Sequence, residues 1–140
     1  MKTARAIIIK DGKLLVFFRR KNLDGKIITY YALPGGHVEK GETLEDTIVR
    51  ELKEEMNIDI SILNYLGNIY VDNIWEYYYY CKIENGELKL SGEELERCSI
   101  DNYYEIRWLD LSELDTSGIR AIDLVKKAVI MEYGNWYIFK

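Results

Sequence analysis

The sequence predicts an α+β domain in which a mixed β-sheet packs between helices. Three observations carry that expectation. Short β-branched and aromatic runs are separated by Asp-Gly, Pro-Gly-Gly and Asn-Gly turn signals. Two stretches, 43–57 and 119–133, carry apolar residues at three- and four-residue spacing. The order is strands, helix, strands, helix, which does not suggest a doubly wound parallel sheet. At 140 residues, one domain over 1–140 is expected.

Taken in order, Ala6–Ile9 and Leu14–Phe18 flank Asp11-Gly12 and read as a hairpin, with Arg19-Arg20-Lys21 closing its second strand. Asp24-Gly25 turns the chain into a third strand, Ile27–Leu33. Pro34, the only proline, ends it because it has no N–H to donate. Thr43 is the expected N-cap of the first helix, with Asp46 completing a capping box and Asn57 as its left-handed stop. Leu44, Ile48, Val49, Leu52 and Met56 form the apolar face. Ile60–Val71 and Ile74–Ile83 read as strands. Within the second, Tyr77 to Tyr80 alternate faces, two in the core and two exposed or lining a pocket. Residues 92–102 read as a polar loop, Tyr104–Leu109 as a strand, Ser112 as the cap of a short turn, Ile119–Tyr133 as the second helix and Trp136–Phe139 as a last strand.

The formal charge of -5 and pI of about 5.0 argue against bulk nucleic-acid binding, which relies on phosphate neutralisation by a basic surface. They leave room for a small phosphorylated ligand held by a few local cations or a metal. Cys81 and Cys98 have no metal-type spacing and read as reduced thiols. With no signal-peptide pattern and no apolar run near the ~20 residues that span a bilayer, a cytoplasmic protein without membrane association is expected.

Chemistry concentrates between Gly36 and Ile58. At about 100° per residue, Glu51, Glu54 and Glu55 fall within an arc of about 100° beside the apolar face. Three carboxylates so placed repel one another, and a hard divalent cation relieves that repulsion while leaving coordination positions for water and phosphate. Arg50 and Glu42 stand where a two-pronged ion pair can orient the acids. Taken alone, Arg-Glu-x-x-Glu-Glu is more often an ordinary solvated helix face than a metal site.

The pattern does not stand alone. Gly36, five residues, Glu42, seven residues, then Arg50-Glu51-Leu52-Lys53-Glu54-Glu55-Met56-Asn57-Ile58 resembles the Nudix box, and Leu33-Pro34-Gly35-Gly36-His37-Val38-Glu39 resembles its usual lead-in. One fixed position departs: Asn57 replaces Gly, and Asn tolerates the left-handed conformation of a helix end. The resemblance implies the Nudix fold and a hydrolase that cleaves a nucleoside diphosphate linked to another moiety. Nucleoside triphosphates, sugar nucleotides and ADP-ribose are equal candidates. It implies Mg²⁺, with Mn²⁺ as substitute, bound by Glu51, Glu55, Glu54 and the carbonyl of Gly36 or Gly35. Glu42 and Arg50 would support the site. Glu54 is the first candidate for general base, and Glu93, Glu94 or Glu96 from a later loop the second. A nucleotide sensor that no longer cleaves is the alternative, though the box keeps all its acids. An enzyme of nucleic-acid ends is a third reading, which the acidic pI weakens.

Arg20 and Arg5 are candidate contacts to substrate phosphate, Arg20 before its neighbours. His37, the only histidine, is expected to hold backbone and not to act as a base. Exposed tyrosines and an edge strand would permit a homodimer.

Overall fold

The computed structural model describes residues 1–139. Among the described residues, seven strands and three helices keep the expected run of strands, helix, strands and helix, with a short strand and a short helix added to it. β1 (Lys2–Lys10) and β2 (Lys13–Leu23) join through Asp11-Gly12, and β2 joins β3 (Lys26–Ala32) through Asp24-Gly25. Both turns carry positive φ at both central residues, which suits the right-handed twist of the flanking strands. β5 (Ile58–Val71) and β6 (Ile74–Gly86) meet at a third such turn, Asp72-Asn73.

The strands run β3-β2-β1-β6-β5, with β4 (Gly35–His37) on the other edge of β1 and β7 (Asn102–Asp110) on the other edge of β2. β1 and β6 are parallel and every other pair is antiparallel, so the sheet is mixed. β1 and β2 pair only near their shared turn, at Ile9↔Leu14 and Lys10↔Lys13. Beyond it the two strands part, β1 toward β4 and β6, β2 toward β3 and β7. The interrupted pairing leaves a cleft between the two halves of the sheet.

Helix α1 (Leu44–Met56) covers one face and α3 (Ile122–Tyr133) the other. Ile48, Leu52 and Met56 pack with Ala4, Ile8, Phe17 and Tyr79. Val125, Ala128 and Val129 pack with Ile7, Val16, Tyr78 and Tyr80 on the opposite face. The alternation at 77–80 therefore holds, but three of the four tyrosines, Tyr78, Tyr79 and Tyr80, are buried, because both faces of β6 are covered by a helix.

The caps of α1 follow the sequence. The Thr43 hydroxyl accepts from the Asp46 N–H at 3.0 Å, and Asp46 accepts from the Thr43 N–H at 3.3 Å. Asn57 ends the helix at φ 61° and its side chain donates to the Glu87 carbonyl at 3.0 Å. Asn57→Ala is expected to cost about 1 kcal/mol. Asn57→Gly should change stability by less than that, since relief of the left-handed strain offsets the lost hydrogen bond; urea unfolding would measure both.

Elsewhere the structure corrects the sequence. Residues 92–97 form a helix, α2 (Gly92–Arg97), where a loop was expected. It buries no residue, so no apolar periodicity marks it, and it is held by Ser91, whose N–H donates to the Glu55 carbonyl at 2.9 Å. Gly35–His37 is a strand, because its backbone pairs with Thr3–Arg5 despite the glycines. Tyr137–Phe139 is a 3-10 turn and not a strand; Gly134 reverses the chain at φ 81° and Trp136 tucks back against the α3 core. α3 starts at Ile122 and not Ile119. Ser112 caps nothing and lies inside a 3-10 turn, Leu111–Thr116. Val49 is 43% exposed, on the edge of the helix away from the sheet. Among the described residues, no helix is long and apolar enough to cross a membrane.

Candidate active site

Antiparallel pairing sets Gly35 opposite Arg5 and Gly36 opposite Ala4, and this short strand runs directly beneath α1. A Cβ on Gly36 would lie 2.6 Å from the Glu51 carboxyl carbon, so the glycine is what lets the acid reach the main chain. Gly36 and Glu51 are thus brought together as the sequence suggested.

Arg50 organises the acids. Its Nε and Nη2 donate to the two oxygens of Glu42 at 2.6 and 2.9 Å, a two-pronged pair. Its Nη1 donates to Glu51 at 3.0 Å and Glu54 at 3.2 Å, and Nη2 also donates to the His37 carbonyl at 3.3 Å. The main chain of His37, and not its ring, takes part. Glu42 accepts further from the Glu39 N–H at 2.9 Å and the Thr47 hydroxyl at 3.0 Å. Arg50, with these donors, holds the Glu42 carboxyl at about 2, well below the usual carboxylate range. Arg50 in turn is held protonated beyond its ordinary range, Glu42 first and Glu51 next.

Glu55 contrasts with them. It is 5% exposed, and its Oε1 finds no hydrogen-bond partner among the described residues. Burial, then the neighbouring Glu94 and Glu51, pushes its carboxyl up to about 10. An orphaned acid oxygen between two other acids is a place for a cation. The donor set is carboxylate and carbonyl oxygen, which suits Mg²⁺. No three acidic, histidine or cysteine side chains among the described residues converge as a ready metal cage. Arg50 holds Glu51 and Glu54 by ion pairs at 3.0 and 3.2 Å. Glu54 is 56% exposed, and an ion pair that open restrains it weakly, so the carboxylate can turn away.

α2 lies across the cleft mouth. Glu94, raised by burial and by Glu51, faces the α1 acids, whereas Glu93 pairs with Arg97 at 3.2 Å and is largely exposed. Glu96 is exposed and borders only the outer part of the acidic surface.

The cleft of about 340 Å³ holds Glu51, Glu55 and Glu94 on one side and Arg5 and Arg19 on the other. A second cavity of about 420 Å³ adjoins it, the two sharing Arg5, Arg19, Ala32 and Leu33. Arg5 is anchored by donation to the Leu33 carbonyl at 3.2 Å. Arg19 stacks on Tyr104, 3.6 Å from the ring centroid, and donates to Asn102 at 2.7 Å, while its buried Nε has no partner among the described residues. Arg20 points away and stacks on Tyr103 on the opposite face. Strand alternation decides this: Arg19 shares its face with Phe17, which lines the cleft. Sequence reasoning favoured Arg20 over its neighbours, and the residue placed in the cleft is Arg19. Parity along β2 decides it, with Leu15 and Phe17 facing α1, but Leu14 and Val16 are equally apolar on the other face and left the sequence without that signal. Cys81 is buried and Cys98 sits at the end of α2, away from the acids.

This sequence matches the NUDIX domain family over residues 1–129. It is similar to a nudix hydrolase of Caenorhabditis elegans, 32% identical over 132 residues, covering 90% of this chain and 34% of that protein. It is also similar to the ADP-ribose pyrophosphatase of Methanocaldococcus jannaschii, 44% identical over 61 residues, covering 44% of this chain and 34% of that protein. The chain thus spans about a third of the length of these relatives. Its fold is that of a NUDIX-family hydrolase from Clostridium perfringens, with a TM-score of 0.67 at 18% identity over 93% of this chain and 96% of that one. With the motif, the sheet topology and the domain match in agreement, the chain belongs to the Nudix family.

Proposed function

We propose that this protein is a Mg²⁺-dependent hydrolase that cleaves the pyrophosphate bond of a nucleoside diphosphate derivative. The observation that carries the reading is the continuity of three environments: an acid-lined cleft, two arginines at its inner wall, and a tyrosine-lined cavity beyond them. A molecule with an anionic middle and a flat end fits that order.

Glu51 and Glu55, with Glu54 and the Gly36 carbonyl, are the residues that would hold the metal, which when bound neutralises anhydride charge and lowers the pKa of a water. Arg50 fixes Glu51 and Glu42 in orientation. Arg5 and Arg19 would bind the phosphates, Arg19 through the donor left without a partner. Glu94, half-buried beside Glu55, would take a proton from the attacking water, and Glu54 would do so if it left Arg50. Glu93, tied to Arg97, is the weaker choice. The products are a nucleoside phosphate and the other phosphorylated half.

Turnover of a panel of nucleoside triphosphates, sugar nucleotides and ADP-ribose, with Mg²⁺ and with chelator, tests the reading. Hydrolysis should require the metal, with Mn²⁺ as substitute. Arg19→Met is expected to raise KM about tenfold or more, the worth of one charge-assisted hydrogen bond, while Arg20→Met changes it less than twofold. Binding of nucleotide without cleavage in any of these mixtures would replace the hydrolase by a sensor.

A further inference from the structure

The cavity beyond the arginines has a polar floor that the hydrolytic chemistry does not use. Glu76 is 7% exposed and lines it. Tyr78, two residues along on the same face of β6, donates its hydroxyl to Glu76 Oε2 at 2.5 Å. Arg120, 57% exposed at the rim, donates from Nη1 to Glu76 Oε1 at 2.9 Å. Burying a carboxylate is costly, and two donors, one of them a cation, hold this one in a single orientation. Each of its oxygens accepts one bond from these partners, and each can accept another. Arg120 uses one N–H here and has others to offer. The floor thus presents two adjacent acceptors with a donor beside them. Tyr30 and Tyr31 supply aromatic surface within the same cavity.

We infer that this cavity reads the edge of a guanine base, with Glu76 and Arg120 as the specificity-determining residues. Guanine presents two adjacent donors, N1–H and the 2-amino group, beside the O6 acceptor. Glu76 accepts from the two donors and Arg120 donates to O6. Adenine offers one donor beside the N1 acceptor, so a carboxylate oxygen would face a lone pair. Uracil and cytosine likewise lack two adjacent donors. A sugar's vicinal diol can also bridge a carboxylate, but its puckered ring gains less from the tyrosine walls than a flat base that stacks on them. The inference rests on the hydrolase reading only in placing the phosphates at Arg5 and Arg19.

Two measurements on the whole chain test it: kcat/KM for GTP, ITP, ATP and a UDP-sugar, and metal-free calorimetric binding of GMP, IMP and AMP. ITP and IMP lack only the 2-amino group. The parent protein should favour GTP over ITP by about tenfold or more and over ATP by a larger factor, since a buried acceptor left unpaired is penalised. In Glu76→Gln the GTP-to-ITP ratio should fall to within twofold, because the amide turns a donor toward a donor. Arg120→Ala, its fold checked by a melt beside the parent because it removes one partner of the buried Glu76, should lower kcat/KM for GTP and ITP alike about tenfold, since both lose the donor to O6. Equal turnover of all three purine nucleotides, or a guanine preference that survives Glu76→Gln, overturns the assignment while the hydrolase stands. Turnover of the UDP-sugar that Glu76→Gln abolishes also overturns it, in favour of the diol. If nothing is cleaved but GMP binds more tightly than IMP and AMP, and Glu76→Gln erases that difference, the guanine pocket stands and the hydrolase falls. No cleavage with equal monophosphate binding removes both.

Discussion

Glu55→Gln is expected to lower hydrolysis by about a thousandfold and, in the same protein without metal, to raise the melting temperature at alkaline pH. The loss follows from removing the buried acid that would meet the metal, within the range of about 10² to 10⁴ typical of a group acting directly in the reaction. The gain follows from proton linkage. Glu55 is pushed up to about 10 in the folded protein, against an ordinary value of 4.5. Between those limits the unfolded chain has lost the proton and the folded chain keeps it. The folded state therefore binds more protons, and its stability falls as pH rises through the window, by up to about 1.4 kcal/mol per pH unit. Gln has no such proton, so the variant's stability curve is flatter. Melts in chelator from pH 5 to pH 9 should show the two proteins converging in acid and the variant melting higher in base. Mg²⁺ should raise the parent's melting temperature near pH 8 and the variant's much less, because binding to the native state alone stabilises it. Parallel pH curves would mean that Glu55 is not held protonated by its surroundings; retention of more than a tenth of the activity would remove it from the reaction.

That opposition between stability and activity explains why the site was legible in sequence and its wiring was not. Spacing put Glu51, Glu54 and Glu55 on one arc of α1, and local rules fixed both ends of the helix, with Thr43 and Asp46 at one and Asn57 at the other. Those are short-range facts. Which acid is buried depends on what lies across the helix, and the covering element, α2, carries no apolar periodicity that could have announced it. The choice between Arg19 and Arg20 turns on parity along β2, but Leu14 to Phe18 are apolar on both faces, so the sequence did not mark which parity faces α1. Glu76 and Arg120 are 44 residues apart and meet only through the parallel pairing of β6 with β1 and the placement of the turn before α3. A carboxylate in a tyrosine-rich strand gave no sign of its partner. Tyr137–Phe139 had strand composition, but the left-handed turn at Gly134 takes it away from any sheet edge and against α3.

The adjacent glycines should separate folding from catalysis. Gly35 has φ +142°, and a Cβ there would stand 2.0 Å from the Ala4 carbonyl oxygen and 2.8 Å from the Arg5 Cα. Both are main-chain atoms of the central strand, so nothing yields without breaking the β1–β4 pairing. Gly35→Ala is expected to cost about 3 kcal/mol or more, from backbone strain and overpacking together, and to lower the melting temperature by about 10 °C. At Gly36 the obstacle is instead the end of a side chain, the Glu51 carboxylate, at 2.6 Å. A carboxylate can swing aside, so Gly36→Ala should hold stability within about 1 kcal/mol while moving Glu51 off its position. Displacement of about 1 Å in a reacting constellation costs on the order of a hundredfold in rate. Paired melts and turnover on the two variants would check this. If Gly36→Ala keeps full activity, Glu51 does not need the place that the glycine gives it. If Gly35→Ala melts with the parent, β4 is not the fixed support from which Gly36 meets the acidic helix.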